Sequence, residues 1–163
     1  MRVKETLPMI QRRTCLLAAV AAPFAARAHH GWSSFDTDRP LFLQGRVVTS
    51  KWQNPHAELE LELPADYRLP ADVGNLQVPA QAAAVDGKAL LAKAAAPTRK
   101  DRRWHIELAP LTRLSYWKLE PIAVGTTVGI LGYTFKEEKG DPVLRAEYVY
   151  VGGKAYGLRS SPA

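Results

Sequence analysis

The chain's four histidines are His29, His30, His56 and His105, and the first two are adjacent. That pair follows Ala26-Arg27-Ala28, the small–any–small spacing that a signal peptidase reads. A cut after Ala28 gives His29 a free α-amine beside its imidazole. The amine nitrogen, Cα, Cβ, Cγ and Nδ1 then close a six-membered ring on a metal ion. One more nitrogen completes a T-shaped, tetragonal donor set, which suits Cu(II). His56, just after the turn pair Asn54-Pro55, is the preferred third ligand; His30 is an alternative and His105 a weaker one. Asp36 and Asp38 are near enough in sequence to stand behind such ligands. A cut after His29 leaves His30 first and preserves the chemistry, whereas a cut after Ala26 abolishes it.

This arrangement resembles the histidine brace of several secreted copper proteins. Each residue also has a plainer reading. His29-His30 suits a polar, fraying start. His56 suits a solvated position on the polar face of an edge strand, and His105 a structural one. The Glu58-Glu60-Glu62 ladder suits a solubilising face that protects an edge. Trp32, Trp52, Trp104 and Trp117 suit core and rim packing. No G-x-S-x-G elbow surrounds Ser33, Ser34 or Ser115. There is no glycine-rich phosphate loop, and no carboxylate spacing singles out an acid and a base. A copper oxidase or oxygenase would need a substrate surface and axial groups that the spacing does not reveal, so catalysis is not the expected role.

The elements upstream of the histidines read as a leader. Arg2, Lys4, Arg12 and Arg13 precede a short apolar run from Cys15 to Ala22. That run is far short of the roughly 20 residues that span a bilayer. Residues 1–28 are therefore expected to be a cleavable signal peptide, with a periplasmic or secreted domain over 29–163. Arg12-Arg13 leaves the twin-arginine and general secretion routes both open. Removing the leader lowers the net charge from +6 to +2, with 17 basic against 15 acidic residues. A nucleic-acid partner, which needs a strong basic field, is not expected. Cys15, the one cysteine, leaves too. The remaining chain has no thiol for a disulfide, a nucleophile or a zinc–thiolate site.

The rest of the chain must position these ligands, and strand signals dominate it. Leu41–Trp52 is apolar and β-branched, with Gly45 as a bulge or bend. His56–Leu63 alternates, turning Ala57, Leu59, Leu61 and Leu63 one way and His56 and the three glutamates the other. Arg103–Leu108 does the same, with Trp104, Ile106 and Leu108 inward. Thr126–Phe135 and Val143–Val151 pair across the charged loop Lys136–Pro142, and Lys154–Leu158 adds a short last strand. Pro110–Leu119 predicts one short helix, ended by Pro121. The Ala/Pro-rich segment 64–101 lacks alternation. It reads as an insertion, a mobile loop or a partly helical excursion, with about four turns of helix over Ala80–Ala96 by propensity. The expected fold is mainly β: a five- or six-stranded OB-like barrel, with a small sandwich second.

The units Ala28-His29-His30-Gly31-Trp32, Gly45-Arg46-Val47-Val48, Trp52-Gln53-Asn54-Pro55-His56-Ala57, Gly125-Thr126-Thr127-Val128 with Gly132-Tyr133, and Leu144-Arg145-Ala146-Glu147 resemble an uncharacterised family of small exported bacterial proteins, a domain of unknown function. The resemblance covers most of 28–63 and 103–158. It implies a signal peptide and a compact β-rich domain and supplies no ligand residues. The first functional expectation is a periplasmic module binding Cu(II) through His29, with His56 and His30. The second is a metal-free structural or interaction module that binds a protein, glycan or small molecule.

Overall fold

A computed structural model describes residues 32–163. The leader, His29 and His30 lie outside the described residues. Six strands follow one another: β1 (Leu41–Lys51), β2 (Glu58–Glu62), β3 (Arg103–Glu107), β4 (Thr127–Tyr133), β5 (Val143–Val151) and β6 (Lys154–Gly157). They lie in the order β3-β2-β1-β4-β5-β6, and a further pairing of β3 with β5 closes the ring. This last pairing is parallel, matching His105, Ile106 and Glu107 with Val143, Leu144 and Arg145, while the other strand pairs are antiparallel. The result is a closed five-stranded barrel with β6 as an added strand. The fold is thus mainly β and OB-like, and closure excludes the sandwich.

Alternation decides what fills the barrel. Leu59, Leu61, Trp104 and Ile106 are buried to 1% exposure or less, while the intervening Glu58, Glu60, His105 and Glu107 look outward. The inward residues join Leu41, Leu43, Val47, Ile130 and Leu144 in one core. A short helix, Leu111–Tyr116, occupies the β3–β4 connection inside the predicted span and buries Leu114 in that core. Gly45 is needed for close approach rather than for a bulge: a Cβ there would strike the carbonyl oxygen of Glu62, and the register shift in β1 falls between Val47 and Thr49. Gly152 and Gly153, with φ of 59° and 74°, make the tight β5–β6 turn.

Two expectations need correction. β2 is no edge strand, because it pairs with both β1 and β3. Its glutamates have side-chain partners instead of guarding an edge: Glu60 contacts His105 at 3.1 Å, and Glu62 faces Arg102 at 3.5 Å. The insertion is also packed more closely than its alanines suggest. Leu91 and Val73 are buried against Phe42, Leu131 and Tyr148, which project from the outside of the barrel and form a second small core. The helix in this segment is only Gly87–Lys93. Asp86 caps its start by accepting from the Ala89 amide at 3.0 Å. It ends where the chain is drawn onto β1: Phe42 N donates to Ala95 O at 3.0 Å and Ala95 N to Pro40 O at 3.1 Å. Tertiary strand pairing overrides alanine propensity here.

A buried carboxylate pins the insertion's far end. Glu138, 7% exposed, accepts hydrogen bonds from the Thr98 and Arg99 amides at 3.0 Å and from Arg39. Burial pushes its pKa up, but these donors outweigh it, and the net value lies below the usual carboxylate range. A depressed folded pKa stabilises above the unfolded value, about 4.3, and the benefit is lost as pH falls through the lower folded value. Glu138→Gln should therefore loosen the insertion by about 2 kcal/mol at neutral pH. Hydrogen exchange at Thr98 and Arg99 should show this, with the wild type approaching the variant only in acid.

Candidate functional site

Barrel closure brings one histidine into a walled cavity. β2 and β3 pair Glu58 with Glu107, and the pairing continues outward through Leu108 N to Ala57 O at 2.9 Å and Ala57 N to Ala109 O at 3.2 Å. Ala57 is fully buried. His56, one residue before it, therefore lies on the outward face with Glu58 and Glu107. The turn that delivers it contains the Asn54–Pro55 bond, which is cis. His56 and Glu107 line a cavity of about 240 Å³ with Trp32, Pro110, Arg113 and Arg145, floored by Leu108, Ala146 and Leu158.

The N-terminal segment is fixed to this cavity by several contacts. Trp32–Ser34 forms a single 3-10 turn. Phe35 stacks on Phe135 with ring centres 5.0 Å apart, and Asp36 N donates to Thr134 O at 2.8 Å. The Trp32 ring meets Tyr133 edge-on at 6.1 Å. The guanidinium carbons of Arg159 and Arg145 lie over it, 4.2 and 5.1 Å from its centre. Arg145 also reaches the Phe35 ring at 4.4 Å.

Each arginine is held by a carboxylate. Arg145 donates from Nε and Nη2 to Glu107 Oε2 at 2.9 and 2.7 Å. Arg159 donates from Nε and Nη2 to Oε2 of Glu147, a fully buried residue. Glu147 Oε1 has no hydrogen-bond partner among the described residues. Burial first, and then the Glu147 charge, push the neighbouring Tyr133 phenol up to about 12. Trp32 therefore rests on a charged pair whose anion is sealed in the barrel wall.

The other predicted residues fall elsewhere. His105 contacts Glu60 through Nδ1 at 3.1 Å, with Nε2 3.9 Å from Glu58, and does not line the His56 cavity. Asp36 accepts from the Asp38 amide at 3.2 Å, and neither aspartate lines the cavity. A larger open groove of about 470 Å³ runs past Arg46, Tyr67, Arg68 and Arg102 and contains no histidine. Among the described residues no three metal-ligating side chains converge, and no helix is long and apolar enough to cross a membrane. Sequence reasoning missed the parts played by Trp32, Glu107, Arg113, Arg145, Glu147 and Arg159. Leu144-Arg145-Ala146-Glu147 held a signal, since charges inside an otherwise apolar strand must find partners.

Comparison with known proteins agrees with the expectation of an uncharacterised family. The model of a family described as "Family of unknown function (DUF6152)" matches residues 16–68. The match includes β1, β2 and His56 and stops at Arg68, so the 103–158 portion of the resemblance lies beyond it. No curated protein matches the chain.

The buried pair yields a prediction. Arg159→Met strands the Glu147 carboxylate in the barrel wall and should cost about 3–5 kcal/mol at neutral pH in urea unfolding. The double variant Glu147→Gln, Arg159→Met should recover most of the loss.

Proposed function

We propose that this protein is an exported Cu(II)-binding module whose site combines the amine and imidazole of a mature N-terminal His29 with His56, and that His30 is the alternative donor. The observation that carries this reading is that Trp32, three residues after His29, lines the same cavity as His56. Three residues of chain span at most roughly 11 Å. A mature chain beginning at His29 would start within that length of Trp32, which supports the pairing with His56. One imidazole and one carboxylate in the cavity make a weak site by themselves, and the amine–imidazole pair supplies the nitrogens that a tetragonal Cu(II) site needs. The role is binding, buffering or delivery of the ion; no group in the cavity is identified with a catalytic step.

Site formation depends on processing. Before cleavage the His29 nitrogen is a peptide amide, a poor donor. Afterwards it is an amine with a pKa of about 7.7–8.0, able to lose its proton to the solvent and bind the ion. Affinity should weaken as pH falls, because amine and imidazoles protonate.

Isothermal titration of protein beginning at His29 should show one tight Cu(II) site. His56→Ala, or one extra residue before His29, should weaken it at least about tenfold, that is by about 1.4 kcal/mol. Equal affinity in the processed and extended forms would rule out the amine. A secreted chain that begins at neither His29 nor His30, read by mass spectrometry, would favour the metal-free interaction module.

A further inference from the structure

We infer that the open groove beside the insertion binds an acidic oligosaccharide, a chain whose units carry both carboxylates and hydroxyls. The groove shares no residue with the His56 cavity, so the inference is independent of the copper reading. Its volume, about 470 Å³, is that of a ligand cleft, roughly 300–1,000 Å³.

The walls are set by the barrel and by both ends of the insertion. Gln44 and Arg46 project outward from β1, and Thr127 of β4 stands opposite Arg46. Leu63 N donates to Arg102 O at 2.7 Å, so the insertion leaves and rejoins the barrel at one place. Tyr67 then ties the departing chain to β1. Its hydroxyl donates to Phe42 O at 2.7 Å and accepts from Gln44 N at 3.2 Å. Burial pushes this phenol up to about 12, so it adds no negative charge to the groove at neutral pH. Arg68 is the next residue after this staple.

Three guanidinium groups line the groove, and most of their donors are unengaged. Arg46 and Arg68 are exposed and make no hydrogen bond or ion pair among the described residues. Arg46 is opposite Glu62 in the β1–β2 register, yet Glu62 faces Arg102 instead, at 3.5 Å. That distance is beyond a good hydrogen bond, and the Arg102 side chain is 55% exposed. Glu62 and Asp66 are the groove's carboxylates, so three cations stand against two anions. A planar guanidinium matches a ligand carboxylate with two parallel hydrogen bonds.

The surroundings select the kind of anion. Gln44 and Thr127 place neutral donors and acceptors beside the arginines, which suits hydroxyls next to a carboxylate. A second cavity of about 400 Å³ continues past Tyr67 and Arg102 to Lys100, giving room for more than one unit of a chain. Single-stranded nucleic acid is held by stacking its bases on aromatic faces. The large exposed aromatic residues among those described, Trp32 and Tyr116, line neither cavity. An acidic peptide gains most by adding to a free strand edge, and at Arg46 β1 is already paired on both sides, with Glu62 and Thr127.

The test is isothermal titration of the full chain at near-physiological salt, with a tetramer of galacturonic acid as the probe. The tetramer should bind, and its methyl ester, which lacks the charges, should bind at least about tenfold more weakly. Arg46→Met and Arg68→Met should each lower affinity about tenfold with unchanged melting temperature, because both side chains are exposed. Lys139→Met removes an equal charge outside the groove and should leave affinity unchanged. Should an arginine variant not fold, amide shifts in the wild type test the same site: the tetramer should move Gln44, Arg68 and Thr127. Absence of binding at millimolar tetramer, equal binding of the ester, shifts elsewhere, or an equal loss in Lys139→Met would overturn the inference. So would tighter, Arg46-dependent binding of oligothymidylate or of a polyglutamate peptide, which assigns the groove to another polyanion. None of these outcomes bears on Cu(II) binding at His56.

Discussion

The parallel pairing of β3 with β5 is the constraint on which the rest of the structure depends. Before that contact, six strands are a twisted ribbon with two open edges. With it, Leu144 and Ile106 close the core, and Glu107 and Arg145 become neighbours on its outer surface. The ion pair between them is a product of closure, since β3 and β5 are far apart in sequence and separated by a helix and a strand. The cavity beside His56 takes one wall from each of these strands. Closure and site are thus one geometric event.

A second layer is built on that barrel from both ends of the described chain. Trp32 arrives from the N-terminal side and Arg159 from the C-terminal tail, and they meet over Tyr133. The energetics are conditional. A buried carboxylate such as Glu147 is costly alone and tolerable with its guanidinium. The Trp32 ring above Arg159 gives the cation a second favourable surface. What looks like a loose leader-proximal segment in sequence is a fixed part of the wall.

The strands were legible because their signal is local. The alternation of His56–Leu63 and Arg103–Leu108 names the inward residues directly, and every such residue is buried. The turn pair before His56 was equally local. What stayed hidden is non-local. Nothing near β2 tells whether it is an edge, because that depends on where β3 and β5 meet. The alanines of 80–96 announce a helix, yet Ala95 is recruited by β1, and the insertion's core uses Leu69, Val73, Leu76 and Leu91 at no regular period. Of the cavity lining, His56 could be nominated from sequence. Glu107 could not, since its place beside His56 follows from a strand register that alternation leaves open.

The order of synthesis gives the position of Arg159 a further meaning. A ribosome delivers Trp32 before every strand of the barrel and Arg159 after all of them. β5, which closes the ring, also comes late, so a nascent chain stopped after β4 still has open edges and neither arginine that holds Trp32. The earliest residues of the described domain are therefore completed by its final ones. Until β5 and Arg159 have been made, the ring, the sealed carboxylate and the lining beside His56 lack parts they require.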